Sequence, residues 1–461
     1  MRATEKHLII VGFGPVAGYK YSRSIRSAIE RGDLADYSIV DLVSQRETVL
    51  ERLQNLPVPP REVVFIPDPP PGAWANISDF DSVCNSLGNG TNSVKVFIST
   101  EPKAHEAYLR YCIDRDIDSI VTKPAILPMR HGRFDASLLL SRMTDLVKCA
   151  AQGTARHAVL CLGRHHEIYE HEMRQPVMKR MAELGAPITS FHLRTSSGVW
   201  NLADEYESRE DHPYRYGYGM LMHGGYHYID VMCQFLALNK EIYPDDDFEL
   251  ELTSYAAFPS DQTARIPKTV HERLSDFADR PWRDPAGANY GETDLVTSYC
   301  LRNKKTKRVL TVGTLALEQS TPGMRSWAPF PEVEYNKNGR LHCTDIEVSL
   351  STAFSMHCRV IKIPVEDKKG PFDVRARNFA RVSARANASL DPSADFYTEK
   401  TIERPFGNSF SYTAETHIFD RWLSGSTTGS DLDSHLTTTA VLQALAESVF
   451  DNGRQKVIDF P

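Results

Sequence analysis

The 461-residue sequence lacks several features that would place it in a class at once. No apolar run approaches the roughly 20 residues that a helix needs to cross a bilayer. The apolar run Leu8–Val11 is too short for the core of a signal peptide, so we expect a cytoplasmic protein. A formal net charge of −7 provides no basic surplus, which argues against nucleic acid and anionic membranes as partners.

Cysteine is also sparse, and its distribution excludes familiar frameworks. Eight cysteines stand singly along the chain, and no two have the spacing of zinc ligands. We interpret them as reduced thiols of a cytosolic protein, several of them within apolar runs. The apolar fraction of 41% and the charged fraction of 25% are ordinary for a globular protein, and the length allows two or three domains.

What is present begins with a glycine-rich turn near the N-terminus. The run "LIIV" has the fully apolar pattern of a strand buried in a parallel sheet, and "GFGPVAG" follows with Gly12, Gly14 and Ala17. In a dinucleotide-binding turn the first glycine permits the tight turn. The second admits a pyrophosphate, and a small third residue lets a helix pack on the strand. The glycines alone are also compatible with a tight turn that binds no nucleotide.

The next segment strengthens the nucleotide hypothesis. A helical pattern over residues 21–29 leads to a second strand, "YSIVDLV", which carries Asp41 near its end. An acid at this place accepts the hydroxyls of an adenosine ribose and repels a 2′-phosphate, which favours NAD over NADP. Arg46 lies close by in the sequence and is the residue that would reverse this preference.

Further strands alternate with helical patterns, which predicts right-handed βαβ units and a parallel sheet. A short strand (63–66) stands within a proline-rich loop, "VKVFIST" ends at Thr100, and a strand over 119–121 runs into Lys123. Ligands bind at the carboxyl ends of strands in such sheets. We therefore expect Gly12, Asp41, Thr100 and Lys123 to share one edge and one site.

These motifs resemble the Gfo/Idh/MocA family of NAD(P)-dependent oxidoreductases, named for glucose–fructose oxidoreductase and inositol dehydrogenase. The family has a glycine turn, then Thr-Pro-x-x-x-His, then Glu-Lys-Pro, and this chain has "STEPKAH" and "TKP". Thr100 and His105 keep the family spacing, whereas the proline comes one position late at Pro102, and Thr122 replaces the usual Glu. The resemblance implies that Lys123 serves both nicotinamide and substrate.

The second half continues the resemblance. "HAVLCLGRHHEIYE" and "SFHLRTSSGVW" resemble the strand and helix that follow and the first strand of the second domain. In "MHGGYHYID" the family's Asp-x-x-x-His pattern becomes His223 and His227, with Asp230 following. At helical spacing these three side chains share a face distinct from the apolar one. A solvated polar face and a metal shared by the two imidazoles are the alternatives.

Beyond residue 247 the pattern changes to strands of period two with few intervening helices, which indicates a mostly antiparallel sheet. Polar stretches at 259–292 and 366–408 are interpreted as insertions between strands, and the C-terminal segment as a helix returning to the first domain. The predicted fold is an α/β N-terminal Rossmann domain (1–155) plus an α+β C-terminal domain (156–435) with a large, mostly antiparallel open sheet. Residues 436–461 form the returning helix and tail.

We therefore predict an NAD(P)-dependent oxidoreductase that acts on a sugar, cyclitol or related polyol, with NAD as the cofactor and no metal. His227 is the candidate acid/base, because the unperturbed pKa of histidine lies near working pH. Lys123 would stabilise the developing alkoxide, and His223 would orient the substrate or relay the proton, with Asp230 also at the substrate. The predicted cofactor-binding residues are Gly12, Phe13, Gly14, Pro15, Val16, Asp41, Ser99, Thr100, Pro102, His105, Thr122, Lys123 and Arg164.

Two other functions remain open at this stage, and one expectation concerns assembly. An NAD-dependent glycosidase would use the cofactor for a transient oxidation. A non-catalytic NAD-binding regulatory protein would account for the missing family Asp and Glu. By the same resemblance we expect a homo-oligomer, a dimer or tetramer formed through the open sheet face.

Overall fold

The computed structural model describes most of the chain, and its contacts divide the residues into two compact units. The described residues are 6–54, 56–87, 94–197, 201, 203–209, 213–277, 289–319, 324–325, 340–364, 376–392, 394–404 and 410–461. The first unit contains Met1–His165 and Tyr412–Thr439, and the second contains His166–Ser411 and Ala440–Pro461.

The described strands and helices are numbered in chain order. The strands are β1 (Lys6–Val11), β2 (Leu34–Leu42), β3 (Glu62–Ile66), β4 (Val94–Ile98), β5 (Asp118–Thr122), β6 (Met129–Arg130), β7 (Arg133–Phe134), β8 (His157–Leu160), β9 (Ser190–Ser196), β10 (Phe248–Ala257), β11 (Asp294–Asn303), β12 (Val309–Glu318), β13 (Met324–Arg325), β14 (Arg340–Leu350), β15 (Phe354–Pro364), β16 (Ala376–Ala386), β17 (Tyr397–Arg404) and β18 (Lys456–Phe460). The α-helices are α1 (Pro15–Lys20), α2 (Ser22–Arg31), α3 (Arg46–Leu53), α4 (Ile77–Leu87), α5 (Pro102–Asp114), α6 (Leu139–Ala150), α7 (Gln175–Leu184), α8 (Ala203–Ser208), α9 (Tyr226–Ala237), α10 (Asn239–Ile242), α11 (Gln262–Arg265), α12 (Lys268–Phe277), α13 (Phe410–Leu423) and α14 (Leu436–Phe450). Two further segments, Ile168–Arg174 and Leu221–Gly225, are π-helical.

The first unit is built on a six-stranded parallel sheet in the order β3-β2-β1-β4-β5-β8. The direction in which successive strands are added reverses between β1 and β4, and ligands bind at such a switch point in sheets of this kind. Strand β1 is apolar because both faces of the sheet are covered, and five of its six residues are buried. The predicted parallel α/β domain is confirmed.

The core of this unit includes a helix that the sequence analysis assigned to the second domain. Helix α13 places Phe419 and Trp422 in the same apolar cluster as residues of β1 and β4. The ring centroids of Tyr21 and Phe419 are 4.6 Å apart, and the buried Lys95 donates to the Trp422 carbonyl at 2.8 Å. Residues 412–439 therefore belong with the first unit, because apolar side chains far along the chain fill its core.

The second unit contains a sheet of nine strands in the order β17-β16-β15-β14-β9-β12-β11-β10-β18, and the short β13 pairs with β14. All neighbours along this order are antiparallel except β9 and β12, as predicted for a mostly antiparallel sheet. Burial alternates along β10, so one face of the sheet is covered and the other is open.

Two sequence-based assignments in the second half need correction, and a third agrees with the structure. The supposed insertion at 366–408 contains all of β16 and β17, and its residues 366–375, 393 and 405–408 lie outside the described part. The stretch 259–292 lies between β10 and β11, as expected of an insertion between strands, and it carries α11 and α12, with 278–288 not described. Of the predicted returning helix and tail, residues 436–439 lie in the first unit, whereas β18 pairs with β10 and residues 440–461 belong to the second unit.

Candidate functional site

The glycine turn of the first unit depends on a close approach between two backbones. Gly12 follows β1 with a φ of +80°, and a Cβ at this position would lie 2.8 Å from the Cα of Thr100. The Gly12 amide donates to the Val40 carbonyl at 2.9 Å, and the Ser99 amide donates to the Val11 carbonyl at 2.9 Å. The ends of β1, β2 and β4 are thereby held together, and only glycine fits between them.

Gly14 differs from Gly12 in what surrounds it. Its backbone is extended, and a Cβ built on it would meet no described protein atom within 4 Å. The space at Gly14 is therefore open, as a site that lets backbone approach a pyrophosphate requires. Pro15 and Val16 begin helix α1, and their side chains lie outside the described part.

Asp41 is bound to the glycine turn by its carboxylate. One oxygen accepts the Phe13 amide at 2.7 Å, and the other accepts the Leu42 amide at 2.8 Å. Each oxygen keeps a second lone pair, so the carboxylate can still accept hydroxyl donors. Burial raises the pKa of Asp41, whereas these two backbone hydrogen bonds oppose the shift. The geometry fits the predicted role at an adenosine ribose.

His105 is a buried link between two segments at the edge of the sheet. The side chain has no exposed surface, and burial lowers its pKa. Its Nδ1 lies 2.8 Å from the Pro124 carbonyl and its Nε2 lies 2.9 Å from the Thr100 carbonyl. The Thr122 hydroxyl is 3.2 Å from Nε2. His105 therefore fixes the segments that follow β4 and β5, and with them Lys123.

Lys123 and its neighbours occupy the predicted edge of the sheet. Lys123 directly follows β5 and is half-buried, and Pro102 is the first residue of α5 beyond β4. Gly12, Asp41 and Thr100 lie at the same edge, since each stands at or just beyond the carboxyl end of a parallel strand. The expected common edge is present within this unit.

Arg164 has contacts other than those expected of a cofactor-binding residue. It is buried, and its guanidinium donates to the Gly429 carbonyl at 3.1 Å and to the Ser434 carbonyl at 2.8 Å. The Ser434 hydroxyl is a third acceptor. Arg164 thus holds the segment between α13 and α14 within the first unit.

In the second unit, the histidine segment is not the regular helix that the spacing suggested. His223 lies in the π-helical turn Leu221–Gly225, whereas His227 and Asp230 lie in α9. The Gly225 amide donates to the Met220 carbonyl at 2.8 Å, a bond that spans five residues. His223 and His227 therefore lie in consecutive turns of different pitch.

The double glycine explains the local pitch, and burial rules out the solvated-face alternative. A Cβ on Gly225 would lie 2.7 Å from both the Leu317 side chain and the Met220 carbonyl, so tertiary packing requires glycine there. His223, His227 and Asp230 are 6%, 5% and 0% exposed. Helix α9 is buried on nearly all sides, and its Phe235 packs on Phe191 of β9 at 4.9 Å between ring centroids.

A buried carboxyl beside this segment was missed by the sequence analysis. The Leu221 amide donates to Oε1 of Glu292 at 2.7 Å, two residues before His223. Burial raises the pKa of Glu292 to about 7. The His223 ring meets the edges of Tyr214 and Tyr218 at centroid distances of 4.8 and 5.1 Å. No sequence signal links Glu292 to this segment, because its hydrogen bond with Leu221 spans 71 positions.

Three further features of the described residues concern metal ligands, membrane-spanning helices and cysteines. Among them, no group of three or more His, Cys, Asp and Glu side chains could hold a metal ion. No helix in the described part of the chain has the length and apolarity to cross a membrane. All eight cysteines are free thiols, and six of them are buried.

Comparison of the whole chain with solved structures gives consistent matches. Levoglucosan dehydrogenase in complex with NADH and levoglucosan aligns over 99% of this chain and 100% of its own, with a TM-score of 0.56 and 12% identity. An oxidoreductase from Agrobacterium radiobacter in complex with NAD+, L-tartaric acid and magnesium covers 99% of both chains, with a TM-score of 0.53 and 14% identity.

This chain has the fold of these oxidoreductases. The WlbA dehydrogenase from Bordetella pertussis, in complex with NADH and UDP-GlcNAcA, also matches, over 100% of this chain and 99% of its own, with a TM-score of 0.51 and 14% identity. Neither a protein-family model nor a curated protein sequence matches the chain. At these identities the likeness establishes the fold, and the resemblance inferred from the motifs is confirmed at that level.

Proposed function

We propose that the protein is an NAD-dependent oxidoreductase that transfers a hydride between nicotinamide and a secondary alcohol or ketone of a sugar, cyclitol or related polyol. The main support is the combination of open space at Gly14 with the neighbouring Asp41 carboxylate, which accepts a hydrogen bond from the Phe13 amide. Both lie at the carboxyl edge of a parallel sheet. The solved structures of the same fold include sugar dehydrogenases in complex with NADH, which supports the substrate class.

The chain supplies binding and proton management, and bound NAD would supply the hydride acceptor. Backbone at Gly12–Gly14 would approach the pyrophosphate, and Asp41 would accept hydrogen bonds from the adenosine ribose. Lys123 would donate a hydrogen bond to the reacting oxygen and stabilise its developing negative charge. His105 would act indirectly, by holding the segment that carries Lys123.

We assign the transfer of the substrate's hydroxyl proton to residues of the second unit. His227 would take the hydroxyl proton during oxidation, since imidazole is the side chain best suited to proton transfer near neutral pH. His223 would orient the substrate or relay the proton, and Asp230 would contribute to substrate binding. His223 replaces a carboxylate at this place, and its buried position between two tyrosine rings favours a role in orientation.

The test begins with cofactor binding and then asks for turnover. We expect NADH to bind with a change in nicotinamide fluorescence, and NADH to form from NAD with at least one member of a panel of sugars and cyclitols. Lys123→Met should lower kcat by at least about tenfold, the loss expected for one hydrogen bond to a developing charge. The exposed Lys305 offers a matched control, and Lys305→Met should leave kcat unchanged.

Each alternative function has its own signature in the same experiment. A protein that binds NADH but forms none with any substrate would fit the regulatory alternative. A protein that purifies with NAD bound and cleaves glycosides without added cofactor would fit the glycosidase. Failure to bind NADH would contradict the proposal outright.

We also propose a homo-oligomer formed through the open face of the second sheet. Strand register places Tyr255, Val296, Val312 and Val457 on one face, and all four are exposed. Apolar patches of this kind mark association surfaces. Sedimentation analysis should find a dimer or tetramer, and a monomer at micromolar concentration would contradict the proposal.

A further inference from the structure

The glycine turn lies against a second acidic residue that the motifs did not assign. Glu101 follows Thr100 and directly precedes α5, where its backbone is extended and its side chain is exposed. The Cα of Thr100 lies 2.8 Å from the position that a Cβ on Gly12 would take. The segment that carries Glu101 therefore packs directly on the turn.

Asp41 borders the same turn through its hydrogen bond to the Phe13 amide. Burial is the main cause of the raised pKa of Asp41, and the negative charge of Glu101 raises it further. One short turn is thus bordered by two acids on different strand ends.

Cations stand in the same neighbourhood and would favour the opposite cofactor. The Arg52 guanidinium donates to the Phe13 carbonyl at 2.9 Å. The Arg46 guanidinium stacks 4.5 Å from the ring of Phe65, which is the cross-strand neighbour of Asp41. A 2′-phosphate carries close to two negative charges near neutral pH and would be attracted by these arginines. The negative charge of Asp41 alone would therefore be offset by the positive charges of Arg46 and Arg52.

We propose that Glu101 is a coenzyme-specificity residue, which together with Asp41 makes the ribose end of the site negative and excludes the 2′-phosphate of NADP. The inference rests on the proposed function, because it requires a dinucleotide at this turn. Without the charge of Glu101, the positive charges of the two arginines exceed the negative charge of Asp41. The affinity for NADP therefore rises.

The test compares NADH and NADPH binding by nicotinamide fluorescence in the wild type and in Glu101→Gln, at low salt. The substitution keeps the shape of the side chain and removes one charge. We expect the Kd for NADPH to fall roughly tenfold, the effect of one charge on a phosphate several ångströms away in a water-like dielectric. The Kd for NADH should change by less than about threefold, because its ribose carries no phosphate there.

A charge-matched control is available on the same helix. Asp114 is exposed at the far end of α5, so Asp114→Asn removes the same charge roughly 18 Å farther along the helix. It should leave both dissociation constants unchanged. The gain in NADPH affinity of Glu101→Gln should also shrink in about 1 M salt, where exposed charges are screened within roughly 3 Å.

The possible outcomes distinguish a failure of this inference from a failure of the proposed function. If the wild type binds NADH but Glu101→Gln changes neither cofactor, or both equally, the inference is wrong and the proposed function stands. A wild type that prefers NADPH also overturns it. If the wild type binds neither dinucleotide, the proposed function fails and the inference with it.

Discussion

The glycine turn of the first unit and the histidine segment of the second are both rich in glycine, and their glycines meet different surroundings. At Gly14 a side chain would enter space free of described protein atoms. At Gly225 it would meet Leu317 and Met220, and at Gly219 and Gly291 it would meet the backbones of Glu292 and Tyr218. Open space beside a glycine marks room for a ligand, whereas filled space marks packing of the protein on itself.

The two regions also hold their polar groups differently. Asp41 binds the turn through neighbouring backbone amides and lies near the exposed Glu101. Glu292 and His223 are both buried, and the His223 ring lies against the rings of Tyr214 and Tyr218. The first arrangement favours electrostatic selection of a ligand, and the second favours tuned proton affinity. Three tests examine this contrast, beginning with the one that has the largest expected effect.

The strongest test concerns the buried histidines. His227→Ala should lower kcat by about 10²–10⁴-fold, the range for loss of a general acid or base, with the Kd for NADH nearly unchanged. His223→Ala should lose less activity, because it removes an orienting ring. Steady-state kinetics on one identified substrate, with cofactor titration as the check on folding, makes the measurement.

The control for this test is His171, which is exposed in the π-helical segment of the same unit. His171→Ala should retain full activity. If His223→Ala is inactive while His227→Ala turns over normally, the roles are reversed and His223 is the base.

The second test compares the two glycines of the turn. Gly14→Val should fold with a free energy of unfolding within about 1 kcal/mol of wild type, because its backbone suits any residue and no described atom is in the way. NADH affinity should fall by at least about tenfold, since the isopropyl group fills the space at the turn. Urea unfolding and fluorescence titration measure the two effects.

Gly12→Val supplies the contrast. The added side chain would be strained by the positive φ and would clash with Thr100. It should therefore destabilise the fold by about 1–3 kcal/mol. A Gly14→Val protein that binds NADH as well as wild type would show that the open space is not the cofactor site.

The third test uses the titration of Glu292. Its pKa is raised from 4.5 to about 7 in the folded protein, so its contribution to stability is present below pH 4.5 and is lost as pH rises towards 7. Glu292→Gln removes this dependence. Relative to wild type, the variant should therefore gain up to about 3 kcal/mol of unfolding free energy between pH 4.5 and pH 8.

Urea unfolding at both pH values makes this measurement, with Glu347→Gln on the exposed side of β14 as the control. The control should show no such gain. An equal difference between wild type and Glu292→Gln at the two pH values would mean that Glu292 ionises normally, and the contrast between the two regions would weaken.

The predictions from sequence succeeded where the signal was local. The glycine turn, β1, the acid at the end of β2 and the alternation of strands and helices in the first domain all follow from short-range pattern and burial on both faces of a sheet. The strands beyond residue 247 were visible by their period of two, but β16 and β17 were missed because polar and charged residues interrupt β16 and make up most of β17.

The candidate site was predictable in its types of residue and less so in their roles. His105 and Arg164 were expected at the cofactor, yet both are buried in contacts that hold loops of the first unit. Motif spacing identifies which residues recur together. It does not distinguish a side chain that touches a ligand from one that positions its neighbours.

The parallel sheet and the glycine turn follow from local sequence, because a buried strand, a tight turn and a helix are specified within about 30 consecutive residues. Three other features follow only from the folded chain: α13 completes the first core, the segment of His223 is π-helical, and Glu292 is buried beside that segment. These features depend on contacts between residues far apart in the chain. Their energy comes from burial and packing, for which no local pattern is required.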